Sequence, residues 1–384
     1  MLLRISILIL CFFHFHSTFA QLNEIRFKHL TINEGLSLSS IYAIHQDKKG
    51  FIWFGTEDGL NRYDGYNFKI FRPETGNSFS LNGKWVERIF EDSNGNLWII
   101  TQNGLNKYIP YNESFRRFVL SNTSNDISEN KITVWFEDSF QQIWIGTENG
   151  LFKINILTDE VTQITDNYIG LSNMYFTCIF EDRIGNMWFG TTDGLVVRMK
   201  GTDRFTHFYH VDNNQLSLSN NYITAIYEDK SNKIWIGTKN GLNFFERNTA
   251  SFQTYSSRAE NSSDIHSDII ESIFQDNNGI YWIGTDIGFE RFNPTQSTFE
   301  LIVHDSQSSH SLSELRIRPI CQDSYGYIWF GTYGEGVFRL EKISGTLENF
   351  KNDPAVLTSI AENSINNIFE DRNGSLWFGT FGAG

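Results

Sequence analysis

One spacing constrains this chain more than any other property: an Asp stands six residues before a Trp eight times over, from Asp47 and Trp53 to Asp371 and Trp377. The eight Trp residues, at 53, 98, 144, 188, 235, 282, 329 and 377, lie 44 to 48 residues apart. Gly-Thr follows most of them, as in Trp53-Phe54-Gly55-Thr56 and Trp188-Phe189-Gly190-Thr191. A further Gly comes six residues after Trp (Gly59, Gly104, Gly150, Gly194, Gly241, Gly288), or seven in the last two copies (Gly336, Gly384). A period in the forties with strand-like content is the signature of a β-propeller, one blade per repeat.

Each repeat reads as four strands. In the first, Ile41 to His45 forms a strand and Asp47-Lys48-Lys49-Gly50 a tight turn. Phe51 to Phe54, Leu60 to Tyr63 and Phe68 to Phe71 are the next three strands. Asp opens the turn because its carboxylate accepts backbone N–H groups, and Gly closes it where φ is positive. The Trp falls mid-strand, where a large ring fills the wedge between blades. Repeat three departs from the pattern, with Gln141 or Gln142 in place of the turn Gly, and repeat six has Phe289 for the usual Leu. Polar linkers carrying Leu-Ser, such as Leu216-Ser217-Leu218-Ser219 and Ser311-Leu312-Ser313, separate the blades.

Seven repeats are complete, and the eighth stops at Gly384 before its third strand. A chain rarely ends mid-hairpin with an unpaired edge, so a partial sequence is expected. Residues Ile25 to Leu30 resemble the outer strand of a blade, such as Arg204 to Phe208, and would close a ring by completing a blade from the other end. The expected fold is all-β: a seven-bladed propeller of four-stranded blades, with the eighth repeat starting a second propeller. One eight-bladed ring is the alternative.

The first twenty residues stand apart. Arg4 gives a basic start, Ile5 to Phe13 a short apolar run, and Ala20 a small residue at a cleavage position before Gln21. The run is shorter than the roughly 20 apolar residues of a membrane span, so a secretory signal is expected. Without it the chain has 30 basic and 45 acidic residues, a net charge of −15. That balance repels nucleic acid and anionic lipid. Cys178 and Cys321, in equivalent first strands three repeats apart, read as buried free thiols rather than a disulfide framework.

The stretch Ile223-Thr224-Ala225-Ile226-Tyr227-Glu228-Asp229 through Ile234-Trp235-Ile236-Gly237-Thr238-Lys239-Asn240-Gly241-Leu242 resembles the two-component regulator propeller repeat, and the resemblance covers residues 25 to 384. It implies the periplasmic sensor region of a hybrid two-component histidine kinase: two seven-bladed propellers, a β-sandwich domain and a membrane helix. A kinase, a receiver and often an AraC-type DNA-binding domain follow inside the cell. The usual inputs are oligosaccharides released from polysaccharides, and the full-length sensor is expected to pair as a homodimer. On this reading, residues 1–20 are a signal peptide, 21–352 the first propeller and 353–384 the incomplete start of a second. The chain is then an extracytoplasmic part of an inner-membrane protein. Its partners are the downstream domains of the same polypeptide and a small oligosaccharide-like ligand, with no nucleic-acid contact. The catalytic kinase region lies outside the sequence, so no enzyme activity is expected of the fragment.

The chemistry of the residues agrees with a binding module. Asp92-Ser93-Asn94-Gly95-Asn96 faintly matches a calcium loop, but such a loop needs a carboxylate at its twelfth position. Turn capping explains the repeated Asp, and no metal or cofactor is expected. There is no Gly-x-Ser-x-Gly, no His-Glu-x-x-His and no phosphate loop. A secreted glycoside hydrolase or lyase, or a protein-binding scaffold, are the competing classes, and the first would need two convergent carboxylates.

A ligand is expected on the face shared by the linkers and the second-to-third strand turns, where loops vary over a fixed scaffold. Counted back from the Asp, positions −3 and −6 repeat and belong to the core. Positions −7 and −5 do not repeat, and they supply Trp85, Glu87, Lys131, Tyr175, Tyr222, Glu271, Arg316 and Arg318. Blade seven adds Tyr333 and Glu335 through its one-residue insertion. Aromatic faces beside charged side chains are what a carbohydrate site uses.

Overall fold

Each Trp-bearing strand is apolar on both faces, so it must lie between two strands of its own sheet and two neighbouring sheets. The computed structural model describes residues 25–120, 131–165, 169–257, 264–302, 317–342 and 344–384, with the backbone alone at 317–319. The expected signal segment lies outside these residues, as does Ser311-Leu312-Ser313. Seven four-stranded antiparallel sheets, each in simple sequential order, span residues 41–71, 86–118, 132–164, 176–208, 223–255, 270–301 and 317–350. In repeat one the strands are Ile41–Gln46, Ile52–Thr56, Gly59–Tyr63 and Phe68–Phe71, within two residues of expectation. The described residues contain no α-helix, only short 3-10 turns at Ile32–Glu34 and Leu171–Asn173.

The repeated motif is a buckle. In all eight repeats the Trp indole N–H donates to Oδ2 of the Asp, at 2.7 to 3.2 Å. Oδ1 of the same Asp accepts the backbone N–H four residues on. One carboxylate thus caps the turn and orients the ring. The Gly-Thr that follows has two further duties. The Thr hydroxyl donates to the carbonyl of the later Gly, as from Thr56 to Gly59 at 3.0 Å. The Gly lets the next blade approach: a Cβ on Gly55 would sit 2.8 Å from Val86, and one on Gly190 2.8 Å from Ile223.

Two hydrogen-bonded stitches run from blade to blade. The N–H of the turn Gly donates to the next blade's linker, as from Gly59 to Lys84 (2.7 Å), Gly194 to Asn221 (2.7 Å) and Gly241 to Asp268 (2.6 Å). The residue before each Asp is always Glu or Gln. Its side chain accepts the N–H of the residue after the preceding blade's Asp, at 2.6 to 3.3 Å: Lys48 to Glu91, Ser93 to Glu137, and onward to Ser324 and Glu370.

The eighth repeat forms a two-stranded ladder, Ile365–Glu370 with Leu376–Thr380. Its position settles how the ring closes. Arg372 N–H donates to Gln46 at 2.9 Å, and Gly384 N–H donates to Ser39 O at 2.8 Å. Ser324 N–H of blade seven donates to Glu370 on the other side. The ladder therefore stands between blades seven and one with both stitches made, and a second propeller beginning at residue 353 is not shown. The contacts of Arg372 with Gln46 and of Gly384 with Ser39 join residues more than 300 positions apart, and the sequence offered this arrangement only as its alternative, one eight-bladed ring.

Repeat three forms a complete blade despite its missing Gly. Gln141 takes the turn position, with φ of +59°, and its N–H donates to Asp138 O at 3.0 Å as Gly50 does to Asp47. A left-handed conformation costs an L-residue about 1–2 kcal/mol, partly offset by the greater chain entropy Gly loses on folding. Gln141→Gly should therefore raise stability by about 0.5–1 kcal/mol, read as a higher urea midpoint with an unchanged m-value.

Cys178 and Cys321 are free. Burial pushes both thiols up to about 12, so they are poor nucleophiles, in keeping with the core role expected of them.

Candidate functional site

The first strand of every repeat carries a register shift against the second strand. In repeat one, Ile41 pairs with Thr56 and Ala43 with Gly55, leaving Tyr42 as the extra residue. The same shift singles out Glu87, Thr133, Thr177, Thr224, Glu271 and Asn366. In repeat seven it falls between Ile317 and Ile320. A bulge re-aims one side chain out of strict alternation. Here it does so at position −5 of the other seven repeats, on the innermost strand. The non-repeating −5 residues are therefore bulge residues, which the sequence pattern does not mark.

Position −7 lies at the rim, paired with the residue after Gly-Thr. Gln102 N–H donates to Trp85 O (3.1 Å), Glu148 to Lys131 (3.1 Å), Thr192 to Tyr175 (3.1 Å) and Lys239 to Tyr222 (3.2 Å). These rungs bring the side chains of successive blades into one arc. The Tyr42 ring lies 5.4 Å from Trp85, centroid to centroid, and its hydroxyl donates to Glu57. Lys131 Nζ is 3.5 Å from Glu148. Lys239 Nζ sits 3.7 Å above the Tyr222 ring, a cation–π contact. Trp85 remains 38 % exposed.

The electrostatics tie the arc together. Burial pushes the Glu87 carboxyl above the usual range, against the pull of Lys131 and Arg88 and with a further push from Glu148. Burial likewise raises the Tyr175 hydroxyl, helped by Glu148 and Tyr222. Tyr42 reaches about 12, through burial and then its bond to Glu57. Behind the arc a cavity of about 260 Å³ is lined by Glu87, Arg88, Ile100, Thr133, Trp135 and Thr177, among others. It opens where repeat two carries Ile100 in place of the close-approach Gly. Trp135, expected in the core, is half-buried there and stacks on Phe90 at 3.6 Å.

The structure thus groups Trp85, Glu87, Lys131, Tyr175 and Tyr222 on blades two to five. The others stand apart. Glu271 is the half-buried bulge residue of blade six. Tyr333, 71 % exposed, bridges to Ser364 of the eighth repeat. Glu335 forms an ion pair with Lys351. Arg316 lies outside the described residues, as does the side chain of Arg318. Sequence reasoning missed Tyr42, Glu57, Glu148 and Lys239. Tyr42 occupies position −5 like Glu87, and the other three follow Gly-Thr, so both columns were open to inspection.

Among the described residues, no group of three His, Cys, Asp or Glu is placed to hold a metal ion, and no helix is long and apolar enough to cross a membrane. The arc offers ring faces, one ammonium that is ion-paired and one over a ring, and a carboxyl with raised proton affinity. That set suits a neutral, hydroxyl-rich ligand.

Comparison with known proteins places these features. A family described as two component regulator propeller matches at residues 35–58, 80–103, 170–193, 217–240, 264–286, 311–334 and 359–382. Repeat three, with its Gln141 turn, falls between the matched segments although its blade is complete. Histidine kinase P4 of Formosa agariphila is 48% identical over 63 residues, which is 16% of this chain and 5% of that protein. An extracellular domain assigned to a hybrid two component system of B. thetaiotaomicron is 20% identical, over 93% of this chain and 65% of that one, with a TM-score of 0.37. Saccharomyces cerevisiae Sqt1 is 12% identical, over 94% and 100% of the two chains, with a TM-score of 0.60. The last likeness is one of fold.

Proposed function

Because the chain belongs to the two-component regulator propeller family, we propose that it is the ligand-sensing propeller of a hybrid two-component system. On this reading it lies outside the cytoplasm and reports to a histidine kinase elsewhere in the same polypeptide. The ligand is an oligosaccharide held on the linker face by the arc from Tyr42 to Lys239. The supporting observation is the bulge in the first strand of every repeat, at position −5 in seven of the eight. It places Tyr42 and Glu87 on blades one and two, beside three Thr on blades three to five, while the scaffold beneath stays constant, which is how one fold acquires a specific site. Tyr42, Trp85, Tyr175 and Tyr222 supply ring faces, and Glu87, Lys131 and Glu148 supply groups that bond hydroxyls. Homodimerisation of the full-length sensor belongs to the same reading.

The test is a panel of neutral and acidic oligosaccharides titrated into the protein by calorimetry, with products followed by chromatography. One member should bind without being cleaved, and Tyr175→Ala with Tyr222→Ala should weaken it at least tenfold at unchanged thermal midpoint. Cleavage of a glycosidic bond would replace the sensor reading with that of a polysaccharide-degrading enzyme. Binding undisturbed by the double substitution would move the site off this face.

A further inference from the structure

Two departures from the repeat meet at one interface, between blades two and three. Gly stands two residues after the Trp in seven of the eight repeats, and repeat two alone has Ile100 there. Position −3 is Ile in seven of the eight first strands, and repeat three alone has Trp135. Where the Gly is present the next blade lies against it, as Val86 does on Gly55 and Ile223 on Gly190. The buried Ile100 side chain holds blade three away, and the cavity of about 260 Å³ lies between them. Pockets for whole drug-sized ligands begin at roughly 300 Å³, so this one has room for a single substituent or ring of a larger ligand.

Part of the lining is apolar: Ile100, Ile132, Val134 and the Trp135 ring. The polar part is under-engaged. The half-buried Glu87 carboxyl makes no hydrogen bond to any described residue. Among the described residues the Thr177 hydroxyl reaches only Cys178 Sγ, at 3.8 Å. The Arg88 guanidinium bonds the Glu87 carbonyl at 3.1 Å and forms no ion pair among the described residues. Thr133 differs, since its hydroxyl has Gly146 O at 3.1 Å and Phe176 O at 2.5 Å to donate to. Polar groups drawn out of water without partners favour a ligand that supplies them.

These groups select by elimination. An anion gains Arg88 but is opposed by Glu87, and a cation meets the reverse. A bare hydroxyl satisfies one polar group and leaves the apolar lining against a polar atom. What fits is a neutral group with one donor, one acceptor and an apolar tip. We propose that the cavity is a subsite for the acetamido group of an N-acetylated sugar. Its N–H donates to the Glu87 carboxyl, its carbonyl accepts from Arg88 or Thr177, and its methyl packs on Trp135, Ile100 and Ile132. This subsite presupposes the oligosaccharide reading of the arc, which it narrows to ligands containing an N-acetylhexosamine. Glu87, shared by arc and cavity, joins the two.

The probes are N-acetylglucosamine, N-acetylgalactosamine and N-acetylmannosamine, each beside its parent hexose, added at millimolar concentration to the intact 384-residue protein. Saturation-transfer NMR reads which ligand protons touch the protein. At least one acetylated sugar should bind tenfold or more tightly than its parent, with the acetyl methyl the most strongly saturated group. Glu87→Ala should abolish that preference, and Glu87→Gln, which keeps an accepting carbonyl, should restore it. Thr177→Leu, which fills the cavity from blade four, should abolish it independently. Equal binding of acetylated and parent sugars, or an acetyl preference unaltered in Glu87→Ala and Thr177→Leu, would overturn the proposal. An oligosaccharide without an acetamido group that binds wild type and Thr177→Leu alike would remove the subsite and leave the sensor reading standing. If no sugar of either kind binds, both fall.

Discussion

Asp229→Ala is expected to lower the stability of the propeller by about 4 kcal/mol, through the buried donors it strands. Asp229 is 1 % exposed. Its carboxylate accepts from the Trp235 indole at 2.9 Å, the Tyr281 hydroxyl at 2.5 Å, Ser231 N–H at 2.7 Å and Lys233 N–H at 3.0 Å. Each orphaned buried donor costs about 1–3 kcal/mol, less than additively because the pocket relaxes. Tyr281 belongs to the next blade, so the substitution loosens an interface as well as a turn. Chemical denaturation of the variant against wild type measures the effect.

The same carboxylate carries a pH dependence of known sign. Burial alone would raise the Asp229 carboxyl, but the donations from Tyr281, Trp235, Lys233 and Ser231 outweigh it and hold the group below the usual range. Asp182 is lowered in the same way, burial being overcome by Trp188, Asn186 and Arg247. A depressed folded-state pKa means that this stabilisation is complete above the unfolded value, about 3.9. It is lost as pH falls through the folded value. Wild type should therefore lose stability steeply in acid below about pH 4, and Asp229→Ala should show a shallower fall over the same window.

Gly146→Ala is the second large effect, about 2–3 kcal/mol by overpacking. The added Cβ would lie 2.5 Å from Phe176 Cβ and 2.7 Å from Val134 Cγ1. Neither atom is the far end of a flexible chain, and Phe176 is fully buried. Blade four would have to move away from blade three. The chain displays the consequence once: repeat two carries Ile100 at this place, and the 260 Å³ cavity beside it is lined by Ile100 and by Ile132 of the next blade. A lowered thermal midpoint with a normal far-ultraviolet spectrum is the expected observation, and wild-type stability would show that the blades have more freedom than the packing implies.

Much of this was legible in residues. The Asp and Trp columns located the turns, the rings and the strands to within two residues, because a buckle within one hairpin is a local affair. The Glu or Gln before each Asp was equally visible, from Gln46 to Glu370, but its partner sits one blade away, 42 to 46 residues distant for seven of them and 326 for Gln46. Only the assembled ring reveals the stitch. The place of the eighth repeat was open only as the alternative of one eight-bladed ring, since Arg372 and Gly384 find Gln46 and Ser39 across nearly the whole chain. At the candidate site, variability in columns −7 and −5 led to Trp85, Glu87, Lys131, Tyr175 and Tyr222. It passed over Tyr42, because no residue type marks a bulge. Glu57, Glu148 and Lys239 were passed over because their turns look regular.

Trp85 allows the central claim to be tested in one titration. It stands exposed beside Tyr42 on the linker face, whereas the seven Trp residues of the full-blade buckles are buried. Tryptophan emission should be followed as the oligosaccharide found by calorimetry is added to wild type and to Trp85→Phe. The account predicts a saturable change in wild type that disappears in Trp85→Phe while calorimetry still records binding. An emission change that persists undiminished in Trp85→Phe would place the ligand elsewhere and contradict the assignment of this face.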